Sequence, residues 1–144
     1  MSEYHVPVLL NESVSALNIE ENRNGIFVDA TFGGGGHSRE ILERLGPKGK
    51  LIAFDRDSDA IKNAPADNRL ILVHNNFRFV QNFVRALGFT GKIDGILADL
   101  GVSSHQFDTG ERGFSFRFDA PLDMRMNQLG GKSAADVVNT YSQE

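Results

Sequence analysis

The chain has 144 residues, 40% of them hydrophobic and 24% charged, which suits one modest soluble domain with a single core. It has no cysteine, so disulfides, thiolate zinc sites and a cysteine nucleophile are excluded within it. A formal net charge of −4 supplies no global basic field, so any contact with nucleic acid needs a local patch, and composition alone gives no function.

No apolar run reaches membrane-spanning length, and Met1-Ser2-Glu3 lacks the start of a signal peptide, so a cytoplasmic chain with no membrane partner is expected. His5 to Leu10 reads as an extended lead-in, because Pro7 opposes an early helix. A short helix follows with Leu10, Val14 and Leu17 on one face and Asn11 as its N-cap. Asn22 to Gly25 is a turn. Ile26 to Val28 is a buried strand that runs into a glycine loop. Ser38 to Leu45 is a helix, with Glu40 and Arg44 paired on one side, Gly46 at the C-cap and Pro47 just beyond. Leu51 to Phe54 is the next strand, ending at Asp55. A brief helix, Ser58 to Ala64, stops at Pro65, and Leu70 to Val73 is the third strand. Phe79, Val80, Phe83, Val84 and Leu87 mark a helical face closed by Gly88, and Ile93 to Leu100 is the fourth strand. Residues 101 to 132 show no clean period and read as ordered loop. Ser133 opens a last helix, with Asp136 in capping-box spacing.

This alternation of strands and helices defines an α/β chain with right-handed crossovers and a parallel sheet. Three segments are expected: a lead-in and short helix over 1–23, a βαβ core over 24–102, and a substrate-side loop region with the start of an incomplete insert over 103–144.

The glycine loop, Asp29-Ala-Thr-Phe-Gly33-Gly-Gly35-Gly36-His37-Ser38, sits where a strand becomes a helix, at the sheet end where ligands bind. The dinucleotide pattern starting at Gly33 would need glycine where Ser38 stands, and no Lys-Ser/Thr pair follows the glycines as in a phosphate loop. Asp29 would be unfavourable beside a pyrophosphate but suits a ligand carrying an ammonium and a sulfonium. These two features point to S-adenosylmethionine and disfavour a nicotinamide-dependent oxidoreductase. Asp55, 19 residues past Gly36, has the spacing of a carboxylate that accepts from ribose hydroxyls. Asp57 reads as no more than a helix cap. Phe77 either stacks on an adenine or staples the following helix.

Asp99 lies at the end of the fourth strand, where the donor's sulfur is expected. It either holds the N–H of an amine nucleophile in line with the methyl group or holds the methionine amino group. His105 is a weaker candidate, and the four histidines lack metal-ligand spacing, so no metal is expected. Downstream, Arg112, Phe114, Phe116, Arg117 and Arg125 interleave cations and aromatics as single-stranded nucleic-acid binders do. Asp108, Glu111, Asp119 and Asp123 offset these arginines, and internal salt bridges that rigidify the loop are a reading at least as strong as contacts with RNA.

His5-x-Pro-Val-Leu-Leu-x-Glu12, Asp29-x-Thr-Phe-Gly-x-Gly-Gly-His-Ser38, Asp55-Arg-Asp57, Asp99-Leu-Gly-Val-Ser103-Ser104, Arg112-Gly-Phe-Ser-Phe116 and Pro121-Leu-Asp-Met-Arg-Met126 together resemble the RsmH (MraW) family. The resemblance covers essentially the whole chain but only the first half of the family's length. It implies a partial Rossmann-like class I methyltransferase fold, with sheet order 3-2-1-4 and later strands absent. It also implies methyl transfer from S-adenosylmethionine to N4 of a cytidine in the decoding centre of 16S ribosomal RNA, in the small ribosomal subunit. The cofactor positions it implies are Gly35, Gly36, His37, Asp55, Phe77, Asp99 and Gln106, and the substrate side falls at Ser103, Ser104, Arg112, Phe114, Phe116 and Arg125. Exocyclic amine transfer is a direct displacement, which agrees with the lack of cysteine. In the sheet order 3-2-1-4 the fourth strand has an open edge, so a homodimer or other self-association through that edge, or a non-catalytic fragment, is the rival expectation.

Overall fold

The computed structural model describes residues 7–62 and 64–142. They fall into two compact units that divide between Asp99 and Leu100. The first unit is built on four parallel strands, β1 (Ile26–Asp29), β2 (Lys50–Asp55), β3 (Leu70–His74) and β4 (Ile93–Leu97), in the order β3-β2-β1-β4. That is the α/β architecture and strand order expected from the sequence.

Alternate residues of the buried strands serve two cores. Phe27 and Leu51 face one side and meet Val14 of helix α1 (Leu10–Ser15), Ile19, and Ile41, Leu42 and Leu45 of helix α2 and its end (Gly36–Arg44). Val28, Ile52, Phe54 and Val73 face the other side. A short helix, α3 (Ser58–Ile61), precedes β3, and helix α4 (Val80–Ala86) covers the second core with Val80, Phe83 and Val84. Phe54 and Phe83 meet edge to face, with centroids 5.7 Å apart. Phe79 and Leu87, expected on the same face, are 38% and 36% exposed, so the apolar stripe of α4 is narrower than its sequence suggests.

Several local expectations are corrected. Asn11 does not cap α1: Leu9 stands at the cap in a left-handed conformation, and no side chain bonds there. Helix α2 begins two residues before Ser38 and ends with Leu45 in an extended conformation, so Gly46 is not a left-handed cap. A side chain at Gly46 would instead strike Asn24 Oδ1, at 2.6 Å from an added Cβ, where the chain passes close to the Arg23–Asn24 turn. Helix α3 stops at Ile61, three residues early; Asn63, inside the expected helix, lies outside the described residues, as do His5 and Val6 of the lead-in. Asp57 caps α3 through Asp59 N–H at 3.0 Å, as read from the sequence. Strand β4 ends at Leu97 rather than Leu100, because β1, the neighbour it pairs with, ends at Asp29 opposite Leu97.

Arg69 fastens the start of β3. It binds Asp67 through a 2.6 Å ion pair and donates to the Leu45 carbonyl at 2.9 Å. The same guanidinium holds the Asp67 carboxyl down at about 2.

The second unit contains helix α5 (Ser104–Asp108), a 3-10 turn at Gly110–Arg112 and helix α6 (Ala134–Thr140). Helix α6 starts at the expected capping box of Ser133 and Asp136. Helix α5, with its own capping box of Ser103 and Gln106, stands where only loop was expected.

Candidate functional site

The glycine loop leaves the carboxyl end of β1 between the ends of β2 and β4. Backbone bonds fix both sides: Ala30 N–H donates to the Leu97 carbonyl and Phe32 N–H to the Phe54 carbonyl, each at 2.8 Å. Two carboxylates then clamp the turn. Asp29 accepts from Thr31 N–H at 3.0 Å and from the Ser38 hydroxyl at 2.6 Å. Asp55 accepts from Gly33 N–H at 2.7 Å and from Asp57 N–H at 2.8 Å. Thr31 completes the brace, its hydroxyl oxygen accepting Asp99 N–H at 2.6 Å.

The glycines have separate reasons. Gly35 sits at φ +78°, and a Cβ there would press on the Phe32 ring at 2.9 Å. At Gly36 a Cβ would collide with the Pro7 ring at 2.5 Å. The first intrahelical bond of α2 runs from Arg39 N–H to the Gly35 carbonyl, so the N–H groups of Gly36, His37 and Ser38 precede it and take no partner from within the helix.

Asp29 departs from the sequence expectation in one respect. It is fully buried, and both its oxygens bind residues of the loop itself, so it is placed as a brace and not as a surface carboxylate. Burial raises its pKa; the Ser38 and Thr31 bonds and the nearby His37 oppose that rise without cancelling it. His37 is 5% exposed, and its Nε2 has no hydrogen-bond partner among the described residues. Nε2 of His37 is thus a buried polar atom, next to the glycine loop, that the described residues leave without a partner.

Asp55 is half-buried at the end of β2, each oxygen keeping a second lone pair for an incoming hydroxyl. Phe77, in the 3-10 turn after β3, is 42% exposed, so its ring is not the buried half of a helix staple. Asp99 is exposed beyond the end of β4. The first unit therefore gathers Asp29, Gly33 to His37, Asp55 and Asp99 around one loop. This set fits a nucleoside-type ligand: hydroxyl acceptors, backbone donors and a close glycine approach, without a lysine for phosphate.

The other expected residues belong to the second unit. Gln106 is buried, and its Oε1 accepts Ser103 N–H at 3.1 Å in the α5 capping box. Ser103 Oγ accepts Gln106 N–H at 3.2 Å, while Ser104 is exposed in the first turn. Arg112 is buried, with Nη2 donating to the carbonyls of Arg125 and Met126 at 3.1 and 3.2 Å and the guanidinium against Phe114. It holds the loop together from inside, with only 5% of its surface exposed. Arg125 pairs with Asp123 at 2.7 Å, which realises the internal ion-pair reading there and holds the Asp123 carboxyl below its usual range. Phe116 is wholly exposed, and Phe114 is partly buried. No cluster of histidine and carboxylate side chains that could hold a metal occurs among the described residues. No helix among them is long and apolar enough to cross a membrane.

A four-strand parallel sheet in this order, with a braced glycine loop at its carboxyl end, defines part of a Rossmann-like methyltransferase fold. The chain belongs to the MraW methylase family, whose model matches residues 2–144. It is 60% identical to the Ribosomal RNA small subunit methyltransferase H of Parabacteroides distasonis over 141 residues, 98% of this chain and 46% of that protein. It is 62% identical to the protein of the same name from Phocaeicola vulgatus, covering 98% of this chain and 45% of the relative. The counterpart in Christiangramia forsetii is 58% identical over 144 residues, 100% of this chain and 47% of the relative. The chain spans about half the length of the curated relatives it matches.

Proposed function

We propose that this chain is the methyl-donor-binding part of an enzyme that transfers a methyl group from S-adenosylmethionine to N4 of a cytidine in 16S ribosomal RNA, in the cytoplasm. The observation that carries the reading is the glycine loop held between Asp29 and Asp55, on a chain whose relatives are named for small-subunit ribosomal RNA methylation. Bound there, S-adenosylmethionine supplies an electrophilic methyl carbon. Asp55 accepts from the ribose hydroxyls while continuing to hold Gly33. The N–H groups of Gly36 and His37 meet the carboxylate of the amino-acid moiety. Phe77 covers the adenine with its exposed face. Asp99 lies at the transfer point and holds an amine N–H, so that the nitrogen lone pair points at the methyl carbon.

Isothermal titration of this chain with S-adenosylmethionine tests the cofactor assignment. Asp55→Ala is expected to weaken binding at least about tenfold, the effect of losing hydrogen bonds to a charged acceptor. Unchanged affinity in a variant whose thermal melt is intact refutes the assignment. The substrate assignment is tested separately, by methyl transfer to unmethylated small ribosomal subunits with a chain of full family length. No transfer to cytidine refutes it.

A second reading concerns this chain by itself: a non-catalytic piece that self-associates. It is favoured by β4, which pairs with β1 on one side and carries Ile96 at 56% exposure.

A further inference from the structure

The second unit contains a groove of about 380 Å³ lined by Phe107, Phe114 and Phe116, with Asp108, Ser115 and Arg117 at the same opening. Phe116 is 103% exposed, so neither face of its ring packs on the protein. Phe107 is 41% exposed on helix α5, which forms another wall of the groove. The polar groups around these rings are not locked in place. Arg117 pairs with Asp108 at 2.7 Å, but the two side chains are 58% and 66% exposed, and so open an ion pair costs little to break. Ser115 Oγ accepts from Arg117 N–H and Nε–H, both at 3.2 Å, which leaves its own hydroxyl proton to donate.

We propose that this groove takes one unstacked nucleobase of a single-stranded RNA. This rests on the reading of the substrate as RNA and adds the place and manner in which one base is gripped. A nucleobase offers two apolar faces, a polar edge and an attached phosphate, and the groove has a counterpart for each. Phe116 and Phe107 supply stacking surfaces. Asp108 accepts an exocyclic amino group, and Ser115 donates to a ring or carbonyl acceptor. Arg117, released from Asp108, reaches the phosphate. An amphipathic peptide helix would call for a longer apolar stripe and would bury the Arg117–Asp108 pair. The carboxylate gives the groove a preference for amino-bearing bases over uracil.

The test is fluorescence anisotropy with this chain and three labelled five-nucleotide RNA probes at low salt: one with a single central cytidine between abasic positions, the same probe with that base removed, and the version with uridine in its place. Loss of the base and Phe116→Ala are each expected to weaken binding about tenfold, the value of one stacked base. Combining them should add nothing further, since both remove the same contact. Phe116→Tyr should keep the affinity, and uridine should bind less tightly than cytidine. Binding of all three probes that is indifferent to Phe116 overturns the groove while leaving RNA as the substrate. No binding by the unaltered chain also overturns it, and methyl transfer to small subunits then decides the RNA reading independently. Self-association that disappears in Phe116→Ala, without base-dependent binding, makes the groove a protein contact and overturns the proposal.

Discussion

Asp29 shows how one buried carboxyl can shape a glycine loop from within. Its partners, Thr31 two residues away and Ser38 nine residues away, shape the turn before any ligand arrives. Burial raises its pKa above the reference value of 3.8, so the carboxyl is easier to keep neutral in the folded chain than in the unfolded one. The contribution from this shift is fully present below 3.8 and is lost as pH rises through the elevated folded value. Asp29→Asn removes that titration and retains an oxygen for Thr31. Its stability relative to the parent chain should therefore improve as pH rises above about 3.8 in urea denaturation. An Asn variant that loses ground with rising pH would contradict this account. The sequence disclosed the acid and its position at the strand end, and suggested a cation as its partner. It did not disclose Ser38 as the partner, because that contact exists only once β1 and α2 lie side by side.

At the scale of elements, the parallel sheet was legible because each strand and helix of the first unit has a local apolar rhythm. The errors occurred where a boundary depends on a neighbour. Ile96, Leu97 and Ala98 form an apolar run and Leu100 follows Asp99, yet the β4 ladder stops where β1 stops. Helix α5 is five residues long, too short for a visible period, though the Ser103-x-x-Gln106 spacing was its available signal. Gly95 gives the packing of β4 a sharp test. A Cβ there would lie 3.0 Å from Leu17 Cδ2 and 3.1 Å from Phe27 Cδ1, so the residues after α1 approach the sheet through the space that Gly95 leaves. Gly95→Val should cost about 1–3 kcal/mol in urea denaturation, as overpacking does. Leu17→Ala should recover part of that loss when combined with it, and strict additivity of the two would remove the explanation.

For the molecule as a whole, β4 stands last in the sheet order of the described residues and carries Ile96 at 56% exposure. A strand with unpaired backbone groups and an exposed isoleucine templates another strand, and a charge on it opposes that pairing. Sedimentation velocity should show concentration-dependent association of this chain, reduced in Ile96→Lys; a chain that stays monomeric at every concentration rules the association out. The division of the chain at Asp99 and Leu100 has a further consequence. Every loop-side residue proposed for the methyl donor belongs to the first unit, and the aromatic groove lies wholly in the second. Thr31 secures the last backbone N–H before the division, so the loop's bracing ends where the first unit ends. The residues proposed to hold the methyl donor and those proposed to grip a base can thus be substituted separately, each set within its own unit.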